Sequence, residues 1–536
     1  MALTHRPEVF TLDNGSKYYT YECETHFMKV YVPTATIDGS VINYTFRAPL
    51  LTVLEEKNQS VEEAVKFAEE SGLAKIAAEN DAVVAFLYPT CEGGWANATV
   101  DLFKDFIANV KMDPSYEDGI VDCVDFRNNE FVGYFVRGAL FRANVYSYGA
   151  SADYAAKYLL NTIDGMYLWG PGDITPAVVS MERLSVVPEV TRKDIAVISV
   201  NNSDEINEVI EEYDYSLTID KADYYSDFKD FGWEYKRWCG ELLLEPNFEE
   251  IGLVEDPGKV TVKTSPENYS KNKGTEEHEM GYFAYYNKNA FDNGPIPLIL
   301  AFHGGGDSTM YLTYVSAWYE LCHRYGFLYV PVENHTFEMA EDIIQIIDHL
   351  KAKYDIDERR IYATGFSMGS GKTWDMLMQY PEKFAGFMPL SALFPMDNPY
   401  SPKLGDKINM TIPKPIFYSG GELSFLPELP CHADTCLGRI KYLSKVNKLK
   451  KQFTYSYDEK DKWEDPVWSV PGDKIEKIHD DERDADLTVH YFESEDGVVR
   501  TALASVSNQQ HECRHHSCEE AWKFISQFVN ECGCEK

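Results

Sequence analysis

Basic residues are scarce in this sequence. Its 536 residues include 50 Lys and Arg against 87 Asp and Glu, which gives a formal net charge of −37. Proteins that bind nucleic acid over a broad surface neutralise its phosphates with clustered Lys and Arg side chains. The charge therefore argues against nucleic acid as a partner of this protein.

Long apolar runs are also missing. No hydrophobic stretch reaches the roughly 20 residues that a membrane-spanning helix requires. The first residues, MALTHRPEVFTLDNGSKYYT, lack the basic segment and following apolar stretch of a secretory signal. We therefore expect a protein with no membrane span that is cytoplasmic, or secreted with its signal removed.

The cysteines do not form a recognisable framework. There are eleven, an odd number, with close pairs at Cys431/Cys436 and Cys513/Cys518. Histidines lie among them, but the spacings C-x4-C and H-x-C-x-H-H-x-C match no common zinc module, so we expect no metal. Two short-range disulfides in an oxidising compartment remain an alternative.

Short apolar segments alternate with helical patterns along most of the chain. The segments at 296–302, 327–332, 360–366 and 415–420 are continuous, as in strands that are buried on both faces. Residues 339–354 repeat apolar positions at the spacing of a helix. This alternation predicts an α/β fold with a mostly parallel central sheet flanked by helices.

The first half of the chain repeats the order of the second half, which indicates a tandem duplication. We place the boundary in the polar stretch 211–230, which gives domains 1–225 and 226–536. Five pairs of segments match in order: 26–33 with 279–288, 48–54 with 296–302, 73–89 with 319–331, 98–110 with 339–354, and 141–160 with 359–378.

Two motifs overlap in the segment IYATGFSMGSGKTWDML, residues 361–377. Residues 365–369 read G-x-S-x-G, the turn that carries a nucleophilic serine, and residues 369–373 resemble the end of a phosphate-binding loop. A phosphate loop requires a glycine where Phe366 stands, because its backbone N–H groups wrap the phosphate. No apolar strand ends in the Asp that would hold magnesium. The sequence therefore favours Ser367 as a nucleophile.

A glycine-rich segment upstream supports this interpretation. Residues 303–306 read HGGG at the end of a predicted strand. Such a loop supplies backbone N–H groups to an oxyanion hole, because glycine lets the backbone approach the developing negative charge. We therefore predict an oxyanion hole formed by Gly304, Gly305 and the N–H group of Met368.

These motifs carry a resemblance to a known superfamily. With HGGG, GFSMGS and the late segment HECRHHSCEEAWKFISQF, residues from about 240 to 536 resemble α/β-hydrolases. They are most similar to the branch of polyhydroxybutyrate depolymerase-like and feruloyl-esterase-like enzymes. Together with the duplication, the resemblance implies two tandem α/β-hydrolase-like domains. It implies a serine carboxylic-ester hydrolase that works through an acyl-enzyme. It implies a small-molecule or oligomeric ester as substrate and no cofactor.

The resemblance also implies the position of the general base. The family order is nucleophile, acid, histidine, with the histidine between the last strand and the last helix. Residues 487–510 read as the closing strands and residues 517–529 as the final helix. His511 follows the strands most directly and is the expected base, with His515 and His516 as alternatives.

The acid that orients the histidine is less well defined by the motifs. Family members usually place an Asp just after the strand that reads KPIFYSGG in this sequence. The nearest carboxylate here is Glu422, which can orient a histidine as an Asp does. Asp397, after the preceding strand, is the rival, and Glu428 and Asp434 are further alternatives.

The first half has lost the residues that carry this chemistry. Glu55 stands where His303 stands in the second half, and the segment Gly149-Ala150-Ser151-Ala152-Asp153 lacks the second glycine of the motif. No histidine follows Ser151 before residue 278. We expect a degenerate, non-catalytic copy that keeps a strand, a tight turn at Ser151 and a helix.

Other functions fit the same motifs. An acyltransferase or a peptidase would use the same three catalytic groups with a different acceptor or substrate. A non-catalytic binding protein is a third possibility, which an unreactive serine would favour.

Overall fold

The computed structural model describes most of the chain. Its contacts divide the protein into two compact units, Met1–Pro246 and Asn247–Lys536. Most residues from 224 to 245 lie outside the described ones, so the boundary expected at 225/226 stays a prediction. The described residues are 8–34, 50–80, 82–111, 143–160, 176–193, 195–223, 227, 235–238, 241–244, 246–266, 275–304, 309, 311–333, 335, 338–392, 408–424, 433–481 and 483–530.

The first unit contains a nine-stranded sheet of order β1-β2-β3-β5-β4-β6-β7-β8-β9. Its strands are β1 Glu8–Thr11, β2 Lys17–Glu22, β3 His26–Val32, β4 Leu50–Leu54, β5 Val83–Pro89, β6 Ala143–Tyr148, β7 Val178–Glu182, β8 Ala196–Val200 and β9 Tyr215–Ile219. Its described helices are α1 Val61–Glu70, α2 Leu73–Glu79, α3 Val100–Lys111, α4 Ala150–Tyr158 and α5 Asp204–Ile210, and a separate hairpin pairs β10 Tyr235–Trp238 with β11 Glu241–Leu244.

The second unit contains a ten-stranded sheet of order β12-β13-β15-β14-β16-β17-β18-β21-β20-β19. Its strands are β12 Leu253–Lys263, β13 Glu277–Asn287, β14 Ile296–Phe302, β15 Leu328–Val332, β16 Ile356–Phe366, β17 Gly386–Leu390, β18 Ile416–Gly421, β19 Lys474–Asp480, β20 Ala485–Glu493 and β21 Val499–Val506. Its described helices are α6 Trp318–Tyr325, α7 Ala340–Lys353, α8 Met368–Gln379, α9 Ala433–Val446 and α10 His515–Ile525.

Apolar residues on both faces of the strands explain this arrangement. All seven residues of β14, IPLILAF, are buried, and successive residues of β5 enter two different cores. The helix α7 buries Ile343, Ile347 and Leu350 and keeps basic residues in its last turn. Burying each large aliphatic side chain contributes roughly 1.5–3 kcal/mol. The expected α/β fold with mostly parallel sheets flanked by helices is confirmed.

The two sheets share one topology over eight strands. The order β2-β3-β5-β4-β6-β7-β8-β9 corresponds to β12-β13-β15-β14-β16-β17-β18-β21, position by position. In both sheets the first two pairings of this series are antiparallel and the remaining five are parallel. A difference in strand order would have contradicted a duplication, and the structure shows none over these strands.

None of the described helices is both long enough and apolar enough to cross a bilayer.

Candidate active site

Ser367 lies in a sharp turn between β16 and α8. Its backbone has φ 54° and ψ −116°, a conformation that residues with a side chain rarely adopt. Such a conformation costs of the order of 1–3 kcal/mol and persists only where the surroundings impose it. Its N–H donates to the carbonyl oxygen of Leu390 on β17, at 3.1 Å, and fixes the turn to the neighbouring strand.

The two motif glycines are sterically required. A Cβ atom on Gly365 would lie 2.3 Å from the carbonyl oxygen of Gly369. A Cβ atom on Gly369 would lie 1.9 Å from the carbonyl oxygen of Phe302, at the end of β14. Both distances are far below a normal contact, and both opposing atoms belong to the backbone, so neither can move aside cheaply.

His511 is brought to the serine by the segment between β21 and α10. Its Nε2 atom lies 2.8 Å from Ser367 Oγ, which is the hydrogen-bonding distance of an activated nucleophile and its base. The imidazole ring packs on Phe366, with ring centroids 4.9 Å apart. The alternative His515 lies in α10 with its Nε2 atom 3.6 Å from the Glu519 carboxylate. His516 is in the same helix, where burial lowers its pKa.

The segment that carries His511 is tied to the ends of two strands. Ser391 follows β17 with φ 49°, and its hydroxyl donates to the carbonyl oxygen of Glu512. The same carbonyl accepts from Gln509 Nε2 at 3.1 Å. The N–H of Leu423, just after β18, donates to the carbonyl oxygen of Gln509 at 2.8 Å. Sequence reasoning missed Ser391 and Gln509, because neither belongs to a motif.

Glu422 follows β18 and is exposed. Its N–H donates to the carbonyl oxygen of Val506 at 2.9 Å, and its Oε1 atom accepts from Ser505 Oγ at 3.1 Å. Asp397 and Glu428 lie outside the described residues, and Asp434 lies in the first turn of α9. The identity of the orienting acid therefore stays a prediction.

The glycine-rich loop begins directly beside the elbow. His303 and Gly304 follow β14, which pairs in parallel with β16 so that Phe302 lies opposite Gly365. Gly305 lies outside the described residues. Met368 is the first residue of α8, where backbone N–H groups have no partner within the helix. The expected oxyanion donors at Gly304 and Met368 thus follow adjacent strand ends, and their role stays a prediction.

The residues of the competing phosphate-loop motif pack as part of an ordinary helix. Lys372 is buried inside the unit, where its Nζ atom donates to the carbonyl oxygen of Glu338 and lies 3.8 Å from the Asp375 carboxylate. Burial lowers the pKa of this lysine. The hydroxyl of Thr373 donates to the carbonyl oxygen of Gly369. Both side chains are directed at protein atoms, as expected for an ordinary helix.

The cysteine and histidine cluster does not assemble a metal site in the part of the chain that the structure describes. There, no three His, Cys, Asp or Glu side chains converge in a way that would hold a metal ion. Cys513 and Cys518 are buried with their Sγ atoms 3.6 Å apart. Cys431 and His432 lie outside the described residues.

The equivalent turn of the first unit differs from the sequence-based prediction. The residue between β6 and α4 is Gly149, with φ 60° and ψ −126°, nearly the conformation of Ser367. The expected position of Ser151 at the turn was wrong, since it lies within α4. Its buried hydroxyl donates to the carbonyl oxygen of Leu54 at 2.9 Å and accepts from the N–H of Tyr148. The position equivalent to Ser367 is therefore a glycine.

The position of the glycine-rich loop is also altered in the first unit. Glu55 follows β4 and is completely buried, with its Oε2 atom 2.9 Å from Lys29 Nζ. Trp95 Nε1 donates to the Glu55 carbonyl oxygen at 2.6 Å. Glu55, which stands at the position of His303, is thus held by a buried ion pair with Lys29 and a hydrogen bond from the Trp95 indole.

Comparison with known proteins extends the resemblance. No protein-family model matches the chain. A stretch of 104 residues, 18% of the chain, is 35% identical to 16% of the bifunctional acetylxylan esterase/xylanase XynS20E of Neocallimastix patriciarum. Another alignment, over 52 residues or 10% of the chain, is 42% identical to 13% of poly(3-hydroxyalkanoate) depolymerase C of Paucimonas lemoignei. Each alignment spans less than a fifth of the relative's length.

Solved structures give a broader but more distant likeness. An acetyl xylan esterase from Aspergillus awamori is 13% identical with a TM-score of 0.33, over 50% of this chain and 99% of that one. A thermostable esterase is 24% identical with a TM-score of 0.26, over 40% and 58%. The resemblance of the chain to ester-cleaving enzymes rests on the two curated relatives, an acetylxylan esterase/xylanase and a poly(3-hydroxyalkanoate) depolymerase.

Proposed function

We propose that the second unit is a serine carboxylic-ester hydrolase that acts through an acyl-enzyme on Ser367. The observation that carries the proposal is the 2.8 Å separation of Ser367 Oγ and His511 Nε2 at a turn with positive φ. A serine hydroxyl is a weak nucleophile until a base accepts its proton. The turn places the hydroxyl within reach of that base, just beyond the carboxyl end of β16.

The reaction follows from this geometry. His511 accepts the Ser367 proton while Oγ attacks the ester carbonyl, and the N–H groups of Met368, Gly304 and Gly305 stabilise the resulting oxyanion. His511 then returns the proton to the departing alcohol. Water, activated by the same imidazole, releases the acid and restores the serine. Glu422 or Asp397 orients the ring.

The names of the two curated relatives suggest the first substrates to test. They refer to acetylated xylan, in which the acyl group is acetyl, and to poly(3-hydroxyalkanoate), a polyester. We propose that the chain cleaves carboxylic esters of short acyl chains on a carbohydrate or oligomeric backbone. Acyl transfer and peptide cleavage would use the same groups, and the contacts around Ser367 do not favour either.

The test is a panel of p-nitrophenyl esters with acyl groups of increasing length. Wild-type protein should hydrolyse the acetyl and butyryl esters, and Ser367→Ala should lose this activity. Ser370→Ala is a matched control, because this buried serine in the same helix donates to the Ala392 carbonyl oxygen and not to His511. Hydrolysis that survives Ser367→Ala, or that no ester elicits from the wild type, would reject the proposal.

We infer that the first unit is a degenerate, non-catalytic copy of the same fold. The shared order of eight strands supports the duplication, and Gly149 at the elbow supports the loss of chemistry. Ser151→Ala should leave ester hydrolysis by the full chain within about twofold of wild type, because its hydroxyl is committed to backbone groups. A loss that matches that of Ser367→Ala, with folding retained, would contradict this inference.

A further inference from the structure

One buried carboxyl group lies next to the first residue of the glycine-rich loop, His303, and next to Thr309, three residues after the loop. Glu333 follows β15, which pairs with β14 so that Val332 lies opposite Phe302. Its Oε1 atom accepts from the N–H of Thr309 at 2.8 Å, and its Oε2 atom lies 3.5 Å from His303 Nε2. His303 and Glu333 have no exposed surface. The N–H of Glu333 itself donates to the Gly281 carbonyl oxygen at 2.9 Å, which ties Glu333 to β13.

One contact of His303 shows which of its ring nitrogens carries a proton. Its Nδ1 atom is 2.7 Å from the carbonyl oxygen of Gly304, which can only accept, so Nδ1 carries a proton and donates. Its Nε2 atom faces the Glu333 carboxyl group, 3.5 Å from Oε2. The ring of His335 packs on that of His303 with centroids 4.3 Å apart and helps to exclude water.

We propose that Glu333 is a positioning residue for the oxyanion hole. It acts through His303 and Thr309, which precede and follow the central part of the loop, and it fixes the backbone at Gly304 against the elbow. This proposal rests on the ester hydrolase proposed above. Oxyanion donors strengthen their contact in the transition state, so a displaced loop lowers kcat more than it changes KM.

The principal variant is Glu333→Gln, which replaces the carboxyl group with an amide of nearly the same shape. The loss of a single oxyanion donor typically lowers kcat by about 10²–10³-fold, so loosening this loop should lower kcat by at least about tenfold. KM for p-nitrophenyl acetate should stay within about twofold of wild type. Glu333→Asp keeps the carboxyl group on a shorter side chain and should have a kcat between those of Glu333→Gln and wild type.

A matched control separates positioning from general stability. Glu338→Gln neutralises another buried glutamate of the same unit, whose Oε2 atom lies 3.0 Å from His278 Nε2. We expect this variant to lower Tm while kcat remains within about threefold of wild type. Glu333→Gln should have a lower kcat than Glu338→Gln even where their Tm values are equal.

The outcomes distinguish the two proposals. Wild-type protein without esterase activity would overturn the proposed function and this inference with it. Active wild type combined with an unchanged kcat in Glu333→Gln would overturn the positioning role alone. Equal losses of kcat in Glu333→Gln and Glu338→Gln would also overturn it. If Glu333→Gln does not fold, Glu333→Asp decides, and a kcat equal to that of wild type would overturn the proposal.

Discussion

Replacement of Gly369 by alanine tests whether the elbow controls the chemistry. Alanine in place of glycine within a helix normally stabilises a protein by about 0.5–1 kcal/mol. At this position the new Cβ atom would lie 1.9 Å from the Phe302 carbonyl oxygen and 2.7 Å from that of His303. An ordinary van der Waals contact is between 3.4 and 4 Å, so the elbow and the end of β14 must separate by more than 1 Å.

Two consequences follow from that displacement. Overpacking of this kind costs typically about 1–3 kcal/mol, which outweighs the gain in helix propensity and should lower Tm. A shift of about 1 Å in the reacting groups costs of the order of 10²-fold in rate. Since the glycine-rich loop follows Phe302 directly, both Ser367 and the expected oxyanion donor at Gly304 are displaced. We therefore expect kcat to fall by about 100-fold.

The assay combines steady-state hydrolysis of p-nitrophenyl acetate with thermal unfolding followed by circular dichroism. Gly371→Ala serves as the control, because this half-buried glycine lies two residues further along the same helix. It should retain most of the activity. A Gly369→Ala protein with wild-type kcat and an unchanged or higher Tm would refute the steric reasoning.

The remaining predictions concern the histidine segment and the last helix. His511→Ala should lower kcat by about 10⁴-fold, because the catalytic groups act as a unit, whereas His515→Ala should change kcat less than about threefold in the same assay. Ser391→Ala removes a donor to the Glu512 carbonyl oxygen, so it should lower Tm and reduce kcat by about tenfold, and unchanged values of both would show that this contact does not hold the segment. Although burial raises the pKa of Glu519, hydrogen bonds from a tyrosine and two basic side chains lower it to about 2. A carboxylate with a depressed pKa stabilises the fold above its ordinary pKa near 4.3, and this stabilisation is lost as the pH falls toward 2. Glu519→Gln should therefore flatten the decline in unfolding free energy over that range, as measured by urea denaturation at several pH values.

The elements of the fold were predictable because burial on two faces leaves a simple pattern. Segments such as IPLILAF are apolar at every position, and the structure makes them the central strands. The strained turn at Ser367 was also predictable, since only glycine fits at Gly365 and Gly369. Local steric requirements of this kind fix the residue types at neighbouring positions, so a sequence pattern can predict them.

The misassignment of Ser151 has a physical cause. The prediction aligned Ser151 with Ser367 because both are serines two residues after a glycine. The elbow requires a residue with positive φ, and Gly149 meets this requirement without strain. Where a turn with positive φ needs no nucleophilic side chain, glycine is the favoured residue. Ser151, two positions later, packs within the helix and bonds to backbone groups.

Contacts between distant segments were not predictable from motifs. Ser391 and Glu512 lie 121 positions apart and meet because β17 lies near the histidine segment. Glu333 reaches His303 because β14 and β15 are neighbours, although helix α6 lies between them in the chain. Such pairs depend on strand order, which periodicity alone does not specify. The orienting acid stays a prediction because Asp397 and Glu428 lie outside the described residues.

The most direct test of the central claim is to identify the nucleophile. Full-length protein would be treated with a fluorophosphonate probe, which forms a covalent adduct with an activated serine, and the modified residue would be located by peptide mass spectrometry. We expect a single modified residue, Ser367, and no labelling of Ser367→Ala protein. A label on another residue, labelling that persists in Ser367→Ala, or a folded wild-type protein that remains unlabelled would contradict the account.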